Sequence, residues 1–228
     1  MENPRNAART IAILLLLMMA CGPIVNFVLL QPVLGHGAFL ENAATHPLQI
    51  GVAVVMGLAM SAFPVGIAIV ASPVFRQYSE AMPLWLLAIA VAGFALAAVE
   101  NVGVLSMLSL SQAYAKADPA DGHLLQTLAV TVTSPRNWAH YLGLIFAGSF
   151  AVVLYAALFR FALVPRALAA FGIFAALLEI IGVAMPLFGR AVVFPMLAPL
   201  GLAHLALIIW LIAKGFAERE PATPRMQS

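Results

Sequence analysis

The chain has 228 residues, of which 64% are apolar and 9% are charged, and its formal net charge is +2. Soluble domains carry about 25% charged residues, so this composition excludes an ordinary soluble protein and indicates a polytopic membrane protein. The basic residues lie mostly at the ends of apolar runs, which fits membrane topology better than a nucleic-acid partner. The single cysteine, Cys21, excludes an intrachain disulfide. No zinc-binding, Walker or hydrolase motif occurs, so we expect no cofactor and no metal site.

Six apolar runs reach the length of about 20 residues that a helix needs to cross the hydrocarbon core. They predict an all-α fold, a six-transmembrane-helix bundle forming a single integral membrane domain over residues 1–228. The first run follows two arginines, as in a secretion signal, but it continues past Cys21, so we expect a retained helix. The predicted spans are Arg9–Gln31, Leu48–Ala71, Pro83–Leu110, Trp138–Phe161, Val164–Phe188 and Arg190–Ala213.

The longest connection, from Ser111 to Asn137, separates the third and fourth spans. Its semi-apolar stretch, Leu124–Val132, predicts a segment that lies along the membrane interface or forms a lid. Ser134 and Pro135 predict the N-cap and first turn of the fourth helix, because proline has no amide hydrogen to leave unpaired there.

The basic residues also predict an orientation. With the N terminus inside, the inner segments hold eight basic residues and the outer segments hold three, which favours both termini in the cytoplasm of a bacterial cell, with the protein in the inner membrane. The inner set is Arg5, Arg9, Arg76, Arg160, Arg166, Lys214, Arg219 and Arg225, and the outer set is Lys116, Arg136 and Arg190. His36, His46 and His123 then lie on outer loops, where a solvated role is the ordinary one.

Two glutamates, Glu100 and Glu179, interrupt the third and fifth apolar runs within the same local pattern. Each follows a glycine by seven positions and precedes a Gly-Val pair by three. An ionisable group in hydrocarbon costs several kcal/mol unless it is protonated, paired or wetted, so each glutamate marks a candidate functional site. The stripe of each helix that carries the glutamate is rich in small residues, which predicts close helix contacts and carboxyls that face the bundle interior.

Three further polar residues are predicted at nearly the same depth as the glutamates. Counted at 1.5 Å per residue from the span centres, both carboxyls fall in one layer on the outer side, with Asn26, Asn101 and His140 nearby. We expect Glu100, Asn101, Glu179, Asn26 and His140 to line a polar cavity that binds a ligand or a proton. Two carboxyls held close together would share one proton.

Other interpretations remain open. A protonated glutamic acid can also serve as packing glue between helices. His140 and the two glutamates could bind a metal, although no helix carries two ligands at the i, i+3 or i, i+4 spacing. His204 is alone at its depth, which favours a hydrogen-bonded residue between helices over a haem ligand. The repeated glutamate pattern does not establish an internal duplication, because Ala/Gly/Leu-rich sequence matches easily by chance.

The organisation resembles a bacterial membrane-protein family catalogued as domain of unknown function 4386. The resemblance implies a six-helix bundle with an acidic third helix and supplies no established reaction, and Glu179 is not part of it. It rests on Pro4-Arg5-Asn-Ala-Ala-Arg9, on Val99-Glu100-Asn101 with Leu105-Ser-Met-Leu-Ser-Leu110, and on Leu142-Gly-Leu-Ile-Phe146, Tyr155, Arg160, Leu163-Val164-Pro165-Arg166 and Phe171-Gly172-Ile173.

These observations favour a binding or proton-coupled, transport-like protein. Its partners would be the lipid bilayer and a small amphipathic ligand in an outward-facing cavity, with no nucleic acid. A metal-assisted intramembrane lipid hydrolase and a non-catalytic scaffold or stress-response component are the alternatives.

Overall fold

The residues that the computed structural model describes, 4–35, 39–118 and 121–217, form helices joined by turns and short irregular segments. Six helical stretches are long and apolar enough to cross a membrane, which confirms the all-α fold and the six predicted apolar helices as candidate spans. They are Pro4–Leu34, Pro47–Phe75, Ala81–Tyr114, Gly122–Arg160, Arg166–Phe188 and Phe194–Ala213.

Several of these stretches are built from shorter elements. The α-helices are α1 (Pro4–Pro23), α2 (Gln31–Leu34), α3 (Phe39–Asn42), α4 (Pro47–Phe75), α5 (Ala81–Tyr114), α6 (Gly122–Arg160), α7 (Arg166–Ala184) and α8 (Ala198–Ala213). A π-helical segment, Ile24–Leu30, lies between α1 and α2. Short 3₁₀ helices are formed by Ala43–Thr45, Met185–Phe188 and Phe194–Met196.

The six long helices form a closed ring in chain order. Each packs against the next, from α1 to α4, α5, α6, α7 and α8, and α8 packs back against α1. Because the number of spans is even, Pro4 and Ala213 lie at the same end of the bundle, which we call the termini end; the opposite end is the distal end. The backbone amide of Ala217 donates to the Leu163 carbonyl at 2.9 Å, which holds the chain after α8 against the turn between α6 and α7.

The fourth span differs most from its predicted form. Helix α6 begins at Gly122 and continues for 39 residues with Pro135 in its interior. The prediction that Ser134 and Pro135 begin the helix is therefore wrong, and Leu124–Val132 is part of α6 and not a separate lid. A proline inside a membrane helix is tolerated where neighbouring groups satisfy the freed carbonyl. Apolar packing of Ala129 and Val132 with Phe39 and Met107 holds this turn of α6 in the bundle.

Helices α5 and α6 are longer than a bilayer core requires. At 1.5 Å per residue, α6 is about 58 Å long and α5 about 51 Å, whereas the core is about 30 Å thick. The short turn between them follows Tyr114, so the hairpin extends the bundle at the distal end. This is why a prediction based on apolar length ended the third span early and began the fourth too late.

The first span also changes character along its length. After Pro23 the helix widens to π geometry over Ile24–Leu30, and the side chain of Asn26 donates to the Gly22 carbonyl at 3.1 Å. The amide of Gln49 reaches across from α4 to the carbonyl of Leu29 at 2.8 Å. Such π segments leave backbone groups free for other partners and often accompany functional sites.

Ser111 fixes the connection between the first and second spans at the distal end. It is fully buried, its hydroxyl donates to the Leu40 carbonyl at 2.8 Å, and it accepts from the Ala44 amide at 2.8 Å. His36 in the same connection, and Arg219 and Arg225 after α8, lie outside the described residues.

A buried polar contact joins α6 to α8. The Tyr155 hydroxyl and Nδ1 of His204 are 3.2 Å apart, and both residues are buried, with exposed fractions of 0% and 6%. This confirms that His204 is a hydrogen-bonded residue between helices. The Tyr155 ring lies directly over Gly172 of α7, so a larger residue at 172 would collide with it.

Candidate functional site

A cluster of three ionisable side chains connects α5 to α6. Oε1 of Glu100 accepts hydrogen bonds from Nη2 of Arg136 at 2.9 Å and from the His140 ring at 2.9 Å. The three side chains are mostly buried, with exposed fractions of 19%, 17% and 24%. Arg136 and His140 are four residues apart on α6, so both project from the same face of the helix. The charge of Glu100 is therefore balanced inside the bundle.

Gly103 permits the close approach that this cluster requires. A Cβ atom at Gly103 would lie 2.7 Å from Cβ and 3.2 Å from Cα of Arg136. A side chain there would push α6 away from α5 at the level of the ion pair. At Gly93, ten residues nearer the termini end, an added Cβ would lie 3.6 Å from Cβ of Phe146, which is an ordinary contact. The small-residue stripe on α5 therefore faces α6, as its spacing predicts.

Asn101 is directed elsewhere. Its amide group donates to the Ala97 carbonyl at 2.8 Å, and its Oδ1 lies against Gly57 of α4, where an added Cβ would be 3.3 Å away. Neither Asn101 nor Glu100 is among the residues that line the large cavity described next. The two neighbours thus serve different helix contacts.

A cavity of about 1640 Å³ opens at the distal end of the bundle. It is bounded by the π segment and α2, by α3, by the distal parts of α5 and α6, and by the connection between α7 and α8. Three of the five predicted site residues, Asn26, His140 and Glu179, line it, together with Arg136. The other described polar lining residues are Gln31, Glu41, Tyr114, Gln126, Thr133, Ser134, Asn137, Trp138 and Tyr141.

Glu179 differs from Glu100 in having no partner among the described residues. Its side chain is partly buried and faces the cavity, yet no hydrogen bond or ion pair to it is formed in this part of the chain. The glycine and alanine residues around it, including Gly172, Ala175, Ala176 and Gly182, are buried against neighbouring elements. Helix α7 is therefore firmly packed while its one carboxyl faces open space.

The two glutamates lie beside different levels of α6. Glu100 contacts His140. Ile180, which follows Glu179 in α7, packs against Gly148 of α6, because a Cβ added at Gly148 would lie 2.6 Å from Cγ1 of Ile180. His140 and Gly148 are eight residues apart, or about 12 Å along the helix. The prediction of a single layer for both carboxyls stays a prediction, since the two helical stretches that carry them, Ala81–Tyr114 and Arg166–Phe188, have nearly the centres from which the depths were counted. His140 and Arg136 both touch Glu100 and also border the cavity that contains Glu179.

Sequence reasoning missed Arg136 as a site residue. Pro135, taken as the start of a helix, placed Arg136 at the outer membrane surface among topology-setting charges. The spacing of Arg136 and His140 by one helical turn was a signal that could have been read, because it places both beside one carboxyl. Within the described part of the chain, no group of three or more His, Cys, Asp and Glu side chains is arranged to hold a metal ion.

The sequence was compared with known families, curated proteins and solved structures. No curated protein and no solved structure matches it. The domain of unknown function DUF4386 matches residues 10–215, which covers all six spans in whole or in large part. Taken with the six apolar helices, this match identifies the chain as a multi-pass membrane protein that belongs to the DUF4386 family.

Proposed function

We propose that this protein binds a small amphipathic ligand in the distal cavity and acts as a binding or proton-coupled, transport-like protein. The observation that carries the proposal is the unpartnered carboxyl of Glu179 in a cavity of about 1640 Å³. Ligand pockets of drug-sized molecules measure about 300–1,000 Å³ and combine apolar walls with a few polar groups. This cavity has room for a polar head group and an acyl-length chain.

The proposed polar contacts of the ligand are Glu179, Asn26 and His140. Glu100 and Asn101 have a supporting role in this scheme: Glu100 holds His140 and Arg136 in place through its two hydrogen bonds, and Asn101 packs α5 against α4. A carboxyl within an apolar helix is protonated, paired with a cation or wetted. Exchange between a protonated Glu179 and a Glu179 paired with a cationic group of the ligand would couple ligand binding to proton release.

The proposed orientation places the cavity on the outer side of a bacterial inner membrane. Arg5, Arg9, Arg76, Arg160, Arg166 and Lys214 lie at the termini end, whereas Lys116 and Arg190 lie in distal connections. Arg136 no longer counts among the outer loop charges because it pairs with Glu100 within the bundle. An excess of basic residues marks the cytoplasmic side, which supports cytoplasmic termini.

Energy transfer from Trp138, which lines the cavity, provides a direct test of binding. The other two tryptophans, Trp85 and Trp210, are replaced by phenylalanine so that Trp138 is the only donor. The probe is a neutral amphiphile, a dansyl group on an undecyl chain that ends in a hydroxyl. We expect saturable energy transfer in the purified full-length protein in nanodiscs of zwitterionic lipid.

Filling the cavity should weaken binding of the probe. Val130→Trp and Leu144→Trp should each lower the affinity for the probe at least five-fold. Because each variant adds a second tryptophan donor, its affinity is measured by displacement of tritiated probe and not by energy transfer. Ile69→Trp is the matched control, because Ile69 is exposed on α4 and does not line the cavity. Probe uptake that does not saturate, or that is equal in all variants, would refute binding in this cavity and favour a scaffold role.

A further inference from the structure

The charges and aromatic rings of the cavity carry an inference about the chemical class of the ligand, which rests on the proposed function. Four acidic or basic residues line the cavity: Glu41, Arg136, His140 and Glu179. The positive charge of Arg136 is balanced by Glu100, which does not line the cavity and whose Oε1 lies 2.9 Å from Nη2 of Arg136. The His140 ring bonds to the same oxygen. What remains facing the cavity is the carboxyl of Glu179, with Glu41 exposed at the rim.

Aromatic side chains are concentrated in the same walls. Six of the 29 described lining residues are aromatic, against 9% for the whole chain, and they are Phe27, Phe39, Tyr114, Trp138, Tyr141 and Phe194. The faces of aromatic rings attract cations, and aromatic walls with a carboxylate suit quaternary ammonium groups, which have no N–H to donate in a hydrogen bond. An anionic head group would instead have to compete with Glu100 for Arg136.

The cavity also reaches the apolar outer surface of the bundle. Phe27 and Phe194 line it, and their exposed fractions are 59% and 65%. Both lie within candidate membrane spans, so the opening that they border is at the level of the apolar helices. A ligand whose hydrocarbon chain partitions into the bilayer fits an opening of this kind.

We propose that the ligand is a cationic amphiphile, with an ammonium or similar head group beside Glu179 and an alkyl chain along the apolar walls toward Phe27 and Phe194. The other four aromatic rings, those of Phe39, Tyr114, Trp138 and Tyr141, line the rest of the cavity and offer their faces to a cation that enters toward Glu179. The Glu100–Arg136–His140 cluster keeps the Arg136 charge away from it.

Three dansyl-undecyl probes that differ only in their head group test the proposal. One ends in trimethylammonium, one in hydroxyl and one in sulfate, and each is measured by energy transfer from Trp138 in the background lacking Trp85 and Trp210. We expect the trimethylammonium probe to bind at least ten-fold more tightly than the neutral probe, and the sulfate probe to bind more weakly than either.

Glu179→Gln should remove the preference for the cation and leave the affinity for the neutral probe within about two-fold. The matched control is Glu80→Gln, the same change at an exposed residue at the termini end of α5, which should retain the full preference. Equal binding of the cationic and neutral probes by the unmodified protein, or an unchanged preference in Glu179→Gln, would overturn the cation inference while leaving the proposed binding function intact. Preference for the sulfate probe would also overturn it and assign the head group to Arg136. Failure of all three probes to bind would instead refute the proposed function itself.

Discussion

Glu100 and Glu179 occupy the same local sequence pattern and end in opposite environments. The first accepts two hydrogen bonds from Arg136 and His140 between two tightly packed helices. The second faces a large cavity with no partner among the described residues. A charge with a buried partner contributes to holding the helices in register, whereas a charge without one is available to a ligand. The pattern of residues along one helix cannot distinguish these cases, because the partner is supplied by another helix.

The largest effect on stability is expected at the ion-pair cluster. Glu100→Gln leaves the Arg136 guanidinium mostly buried without a counter-charge, and breaking a buried pair costs about 3 kcal/mol. We expect the melting temperature of the purified protein to fall by roughly 10 °C. The double variant Glu100→Gln with Arg136→Gln should recover part of the loss, because it removes both charges. If the single and double variants were equally destabilised with no coupling, Glu100 and Arg136 would not form a stabilising pair.

Substituting alanine for the glycines that follow the two glutamates should cost less stability than breaking the ion pair, and the cost should differ between the two positions. Gly103→Ala would place a Cβ 2.7 Å from Cβ of Arg136 and 3.2 Å from its Cα. Since the backbone of α6 must shift, the variant should lose about 1–3 kcal/mol of stability. Gly182→Ala meets its nearest atoms at 3.1 Å, including the end of the Leu197 side chain, and should cost less. Thermal unfolding of both variants measures the difference.

Gly201→Ala is the control for the glycine comparison. No atom lies within 4 Å of the added Cβ at Gly201, and alanine is the better helix former by about 1 kcal/mol. The control should therefore be as stable as the unmodified protein or slightly more stable. A Gly103→Ala variant that behaves like this control would show that α5 and α6 do not approach closely at Arg136.

The smallest effect on stability is expected at Glu179. Glu179→Gln removes no hydrogen bond or ion pair made by the described residues, so its melting temperature should stay within about 2 °C of the unmodified protein. The same isosteric change thus separates the two glutamates: a large stability loss at Glu100 and almost none at Glu179. A stability loss at Glu179 as large as that at Glu100 would mean that this carboxyl has a structural partner.

Predictions that depend on local properties of the chain were more accurate than predictions that depend on packing between helices. The six spans were predictable because apolar length is a local property, and the family resemblance is confirmed by the match over residues 10–215. The role of His204 was also predictable, since a lone polar residue at depth requires a partner on another helix. The start of α6 was not, because proline permits either a helix start at Ser134 or a continuous helix, and packing of Ala129 and Val132 decided for the latter.

The candidate site was only partly predictable for the same reason. Asn26, His140 and Glu179 were expected to line a cavity and do so, whereas Asn101 lies against Gly57 on the other side of α5. Neighbours in a helix point about 100° apart, so Glu100 and Asn101 cannot both face one opening unless it wraps around the helix. Arg136 was assigned to the membrane surface because its role depends on where α6 begins.

The sequence by itself determined that this is a six-span membrane protein with two acidic positions in apolar helices, because composition and helical period are written along the chain. Only the tertiary structure decided which of the two acids is neutralised. That outcome depends on Gly103 letting α6 approach until Arg136 and His140 reach Glu100, while the widened first helix and the connection between α7 and α8 leave space in front of Glu179. Electrostatic partners come from helices distant in sequence, and their distances are set by packing.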